Sequence, residues 1–146
     1  MSHHDVLPKR IHLIGIGGSG MSGLAHCLIA LNHQVSGTDL QQSAEIDTLR
    51  ARGATIFHDH APENLAGAEL VITSDAISPY NPELEEARRL DIPVIRRAEA
   101  LDRLAKPKTG IFVAGSHGKS TTSGMIAKVL QVAGADPSFV VGGAIP

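Results

Sequence analysis

The sequence predicts an α/β fold, a parallel sheet covered by helices. Three observations carry this. Short apolar runs alternate with stretches of helical spacing along most of the chain, a glycine turn follows the first apolar run directly, and a second glycine turn opens a helix further on. Parallel strands need a crossover between them, and the helical stretches supply it. The core must be built from Val, Ile, Leu and Ala, because the chain has no Trp and is only 3% aromatic.

Taken in order, residues 11–14 read as a strand and residues 21–31 as a helix with Met21, Leu24, Ala25, Leu28 and Leu31 on one side. Asn32 and His33 end that helix, and residues 34–37 run as a second strand into Thr38 and Asp39. Residues 44–52 read as a helix stopped by Gly53, 54–57 and 70–73 as strands, and 62–67 as a polar connection between them. Pro82 suits the first turn of a helix that runs to Leu90. A brief strand at 93–95 and an amphipathic helix at 98–104 follow. The segment Lys106-Pro107-Lys108-Thr109-Gly110 then breaks the pattern and marks a domain boundary. Past it, 111–114 reads as a strand, 119–133 as a helix and 139–141 as a strand.

At 146 residues, 42% hydrophobic and 19% charged, the chain has the composition of a globular protein. A domain of about 150 residues would use the whole length, so a second one is expected to be partial. The formal charge of -2, without a long basic run, argues against nucleic acid as a partner. Cys27 is the only cysteine, which excludes an internal disulfide and a cysteine-based zinc cluster, and it reads as a small buried hydrophobe. The first ten residues carry charge and Pro8, so no signal peptide or membrane span is expected and a cytoplasmic address follows.

The first loop, Gly15-Ile16-Gly17-Gly18-Ser19-Gly20, satisfies G-x-G-x-x-G between a strand and a helix. Glycines let the backbone approach a diphosphate, whose charge then meets the free N–H groups and positive end of the helix dipole. The first unit is therefore Rossmann-like. Asp39, at the end of the second strand, stands where such a fold places an acid on a ribose hydroxyl, although a carboxylate there also serves as a cap.

The second loop, Gly115-Ser116-His117-Gly118-Lys119-Ser120-Thr121-Thr122, is a shortened Walker A pattern, since Val113 stands where the full form has glycine. Its chemistry is that of an ATP site: backbone N–H groups for phosphate oxygens, Lys119 for the β and γ phosphates, and the Ser120 hydroxyl for Mg²⁺. His117 reads as a loop residue that shapes the turn or touches phosphate. His3, His4, His58 and His60 have no metal-ligand spacing and are expected at the surface.

Together the two loops resemble the Mur ligases of bacterial cell-wall synthesis, and within them the branch that adds L-alanine. The likeness is carried by residues 11–23, Ser36-Gly37-Thr38-Asp39-Leu40, Ser74-Asp75-Ala76-Ile77 with Asn81-Pro82-Glu83, residues 92–99, and residues 114–122. It implies that residues 1–106 bind the UDP part of UDP-N-acetylmuramate and that residues 107–146 open an ATP-binding domain, giving the first βαβ segment of a P-loop ATPase. By likeness Gly17, Gly18, Ser19 and Gly20 face the diphosphate, Asp39 the uridine end, and Ser74 with Ala76 the pocket edge. Gly115, Ser116, His117, Gly118, Lys119, Ser120 and Thr121 hold ATP, with Lys119 catalytic and Ser120 on Mg²⁺. The family phosphorylates the muramate carboxylate, and the L-alanine amino group attacks the acyl phosphate. Asp75 departs from the serine that is common there, and a carboxylate facing a diphosphate would repel it.

The resemblance implies a piece of a longer enzyme, inactive by itself, whose exposed apolar edge could promote self-association. Two alternatives stand beside the ligase: a non-catalytic nucleotide-binding module, and an NAD-dependent oxidoreductase fragment favoured by the first loop and Asp39.

Overall fold

The computed structural model describes residues 6–107 and 109–140. Five strands, β1 (Arg10–Ile14), β2 (Gln34–Thr38), β3 (Thr55–Phe57), β4 (Leu70–Thr73) and β5 (Val94–Arg96), form one parallel sheet in the order β3-β2-β1-β4-β5. Winding reverses between β1 and β4, so the crevice beyond their carboxyl ends is where an open α/β sheet receives ligands. Helices α1 (Ser19–Ala30), α2 (Ala44–Ala51) and α3 (Pro82–Arg89), with a 3₁₀ turn at Pro62–Leu65 between β3 and β4, make the crossovers, and α4 (Arg97–Ala105) follows β5.

Alternation along β1 separates two cores. Ile11 and Leu13 face one way, where with Val35, Leu70, Ile72 and Ile95 they meet Leu24, Ala25 and Leu28 of α1, Ile46 and Leu49 of α2, and Ala100 of α4. Ile14 points the other way and joins Val71, Leu65, and Leu84 and Ala87 of α3. Burial of this kind contributes roughly 1.5–3 kcal/mol per large aliphatic side chain. Local signals start the helices. The Ser43 hydroxyl accepts from the Ile46 N–H at 3.3 Å, and the Asn81 side chain accepts from Glu83 and Leu84 with Pro82 at the first helical position.

Sequence reading and structure agree on the five strands and first four helices to within about two residues at each end. They part company past α4. Helix α5 (Lys119–Val132) forms, but residues 111–114 and 139–140 are irregular rather than strands, and residue 141 lies outside the described residues. A strand exists only against a partner that satisfies its N–H and C=O groups, and neither run finds one among the described residues. Ile111, Phe112, Met125, Val129, Val132 and Phe139 accordingly stand exposed. Cys27 is half-buried rather than in the core, its Sγ 3.7 Å from the Phe139 carbonyl. Among the described residues no helix is long and apolar enough to cross a membrane.

Gly37 shows how tightly β1 and β2 approach. It pairs with Leu13, and a Cβ at position 37 would lie 2.6 Å from the Leu13 carbonyl oxygen and 2.7 Å from Ile16 Cδ1. Because the obstructing oxygen is backbone, it cannot swing aside. Gly37→Ala should therefore cost about 1–3 kcal/mol of stability, seen as a lowered urea midpoint at unchanged m-value; an unshifted midpoint would show that the strands have slack.

Candidate functional site

The first glycine loop joins β1 to α1 at the reversal of winding. Its early amides are tied down: Gly15 and Ile16 donate to the Thr38 carbonyl at 2.7 and 3.1 Å, and Gly18 donates to the Gly15 carbonyl. Gly15 has a φ of 76°, a backbone conformation that suits glycine. The Gly17 amide donates to Asp39 Oδ2 at 2.8 Å, while Asp39 Oδ1 accepts from the Gln41 amide at 2.9 Å. Asp39 thus braces the turn against the end of β2. The next amides, Ser19 and Gly20, open α1 and donate to nothing among the described residues, and no side chain caps this helix. Positive helix-end charge and two free donors are left facing the crevice.

The loop after β4 closes over this turn, with Ile77 set against Gly15, where a Cβ would lie 3.3 Å from Ile77 Cδ1. Ser74 is half-buried and Ala76 exposed. Thr73, Ser74, Ile77, Arg88 and Arg96 help to line a cleft of about 750 Å³. Asp75, which would repel a diphosphate, is paired with the Arg96 guanidinium at 2.8 Å, so its charge is answered locally. Arg97, the first residue of α4, lies against Gly20.

The second glycine loop is exposed along residues 114–122. Gly118, at a φ of 75°, caps α5, and the Lys119, Ser120 and Thr121 amides donate to no acceptor among the described residues. Lys119 reaches back across the turn, its ammonium donating to the Gly115 carbonyl and, at 3.4 Å, to that of Ser116. This places the cation in the mouth of the turn. His117 and Ser120 are exposed beside it.

A buried polar cluster on the α3 face of the sheet was not foreseen. Glu83, fully buried, accepts from His12 Nε2 at 3.1 Å, Asn64 Nδ2 at 3.1 Å, His60 Nδ1 at 2.6 Å and the Thr38 hydroxyl. His12 also meets the Ser36 hydroxyl at 2.9 Å. His60 is therefore not a free surface residue; it is half-buried because Glu83 holds it. His58 is exposed but bonded to Arg50, and His3 and His4 lie outside the described residues. The cluster left one trace in the sequence, a histidine inside the otherwise apolar Ile11-His12-Leu13-Ile14. Nothing local tied His12 to a glutamate 71 residues away.

Residues 10–109 match the family model described as "Mur ligase family, catalytic domain". The chain belongs to the Mur ligase family. It is 50% identical over 138 residues to the UDP-N-acetylmuramate-L-alanine ligase of Solibacter usitatus, covering 94% of this chain and 29% of that protein. To the same-named enzyme of Aquifex aeolicus it is 49% identical over 135 residues, 92% of this chain and 30% of the relative. Among solved structures, the UDP-N-acetylmuramate:L-alanyl-gamma-D-glutamyl-meso-diaminopimelate ligase of Neisseria meningitides superposes with a TM-score of 0.85 at 31% identity, covering 94% of this chain and 44% of its own. The UDP-N-acetylmuramate-alanine ligase MurC of Thermotoga maritima gives 0.77 at 33% identity, over 84% of this chain and 29% of its own. The chain thus spans about three tenths of the length of these curated relatives.

Burial alone would push the Glu83 carboxyl up, but the hydrogen bonds from His12, Thr38, His60 and Asn64 outweigh it and hold the pKa at about 2, below the ordinary 4.5. A pKa lowered on folding stabilises the native state fully above about 4.5, and that contribution is lost as pH falls towards about 2. The difference corresponds to about 3 kcal/mol. Glu83→Gln should lose a few kcal/mol at pH 7, and its deficit against wild type should shrink between pH 5 and about 2 in urea titrations. A deficit constant across that range would mean that the Glu83 charge plays no part.

Proposed function

We propose that this chain forms the nucleotide-gripping part of an ATP-dependent UDP-N-acetylmuramate-L-alanine ligase of peptidoglycan synthesis. Residues 1–106 take the UDP end of UDP-N-acetylmuramate, and residues 107–146 begin the ATP-binding unit. The observation that carries this is a pair of helix-opening glycine turns with unspent amides, at Ser19 and Gly20 and at Lys119 to Thr121, in a chain of the Mur ligase family.

At the first turn, Gly17, Gly18, Ser19 and Gly20 border the diphosphate. Asp39 holds the turn and keeps unshared lone pairs for the uridine end, while Ser74 and Ala76 edge the pocket. At the second, Gly115, Ser116, His117, Gly118 and Thr121 wrap ATP phosphates, and Lys119 supplies the cation that neutralises charge on the phosphoryl group in transfer. The hard, exposed hydroxyl of Ser120, beside free amides, fits a Mg²⁺ ligand, and the bound ion would offset phosphate charge. The reaction joins the muramate carboxylate to the L-alanine amino group through an acyl phosphate. Within this chain, the part performed is binding and charge compensation.

Calorimetric titration separates the readings. The chain should bind UDP-N-acetylmuramate at least tenfold more tightly than NAD; the reverse order would overturn the assignment in favour of an oxidoreductase. Lys119→Ala should weaken ATP binding at least tenfold and leave UDP-N-acetylmuramate binding unchanged, because the two turns open different helices. Equal losses for both nucleotides would remove the two-site reading.

A further inference from the structure

Gly20 sits in the second turn-opening position of α1, where a side chain would ordinarily be tolerated; alanine favours a helix more than glycine does. The space that a side chain would take is filled by the Arg97 guanidinium. A Cβ on Gly20 would lie 2.9 Å from Arg97 Nη1, 3.0 Å from Cζ and 3.2 Å from Nε, so the guanidinium lies broadside on the bare backbone of the helix end. Arg97 comes from a remote part of the chain, the start of α4 immediately after β5, and reaches the reversal crevice from the far side of β4.

The carboxylates of the loops after β2 and β4 and of the first turn of α4 have partners of their own. Asp75 is paired with Arg96, Glu99 with Arg103, and both Asp39 oxygens accept backbone amides. Arg97 itself has no hydrogen-bond or ion-pair partner among the described residues. An unpaired guanidinium pressed against a positive helix end and two free amides is electrostatically unfavourable by itself. It becomes favourable when an anion with several oxygens lies between them. A guanidinium offers paired N–H donors suited to phosphate, which a lysine ammonium does not.

We infer that Arg97 is a diphosphate-binding residue of the first site, closing on the anion from the side opposite the Ser19 and Gly20 amides, and that glycine at position 20 makes room for it. This rests on the nucleotide reading above and adds to it a residue outside the glycine loop that selects a nucleoside diphosphate over the uncharged nucleoside.

The test uses UDP and uridine as probes, titrated into wild type, Arg97→Ala, Arg97→Lys and Gly20→Ala, with thermal unfolding as a check on folding. Arg97→Ala should weaken UDP at least tenfold while uridine affinity stays within twofold, and Arg97→Lys should recover part of the loss. Gly20→Ala should weaken UDP without lowering the melting temperature, and adding Arg97→Ala to it should cost little more, because the two changes remove one interaction. Undiminished UDP affinity in Arg97→Ala, beside a wild type that binds UDP well, would overturn the role of Arg97 and leave the nucleotide site standing. Equal losses for UDP and uridine would also overturn it, since they would mark a structural role. A wild type that binds neither probe would bring down the nucleotide reading itself.

Discussion

The carboxyl end of β2 is where the molecule is pinned together. The Thr38 carbonyl accepts the Gly15 and Ile16 amides and so fixes the start of the glycine turn, while the Thr38 hydroxyl donates to Glu83 on the opposite face of the sheet. One residue earlier, Gly37 lets β1 and β2 approach more closely than any side chain would permit. One residue later, Asp39 braces Gly17. Three consecutive residues thus set the loop's height, its lateral position and its connection to α3.

The division of amides in that loop follows from this anchoring. Those nearest β1 are spent on Thr38, Asp39 and Gly15, which makes the turn rigid; those entering α1 find no acceptor among the described residues. A phosphate group meeting such a turn finds donors already aimed, so little ordering entropy is lost on binding. The buried Glu83 cluster serves the same rigidity from beneath. Its carboxylate gathers donors from β1, β2, the 3₁₀ turn and the segment before it, and each of these donors would be costly to leave buried and unmatched. Whereas the apolar cores hold the layers together, this cluster fixes their register.

Charge around the crevice is arranged with equal economy. Arg96 and Arg97 are adjacent in sequence yet face different tasks, the first answering Asp75 and the second lying against Gly20. The backbone at the end of β5 turns from strand to helix between them, which sends the two side chains in different directions. The second turn lacks such surroundings. Its cation, Lys119, folds onto carbonyls of its own loop, and α5 keeps an apolar side exposed.

The sequence by itself determined the α/β class, the two glycine turns, the helix starts at Ser43 and Asn81-Pro82 and the family, because each depends on neighbouring residues: periodicity, capping and backbone freedom act over a few positions. Tertiary structure alone decided that His60 is held rather than free, that Asp75 is paired with a guanidinium, that Asp39 braces the turn, and that residues 111–114 join no strand among the described residues. These depend on partners brought in from elsewhere in the chain, Glu83 for His60, Arg96 for Asp75 and Gly17 for Asp39, or on the want of a neighbouring strand among the described residues. Arg97 belongs to the same group. Its sequence context announces a charged helix start, and only the order of strands carries it to the mouth of the first turn.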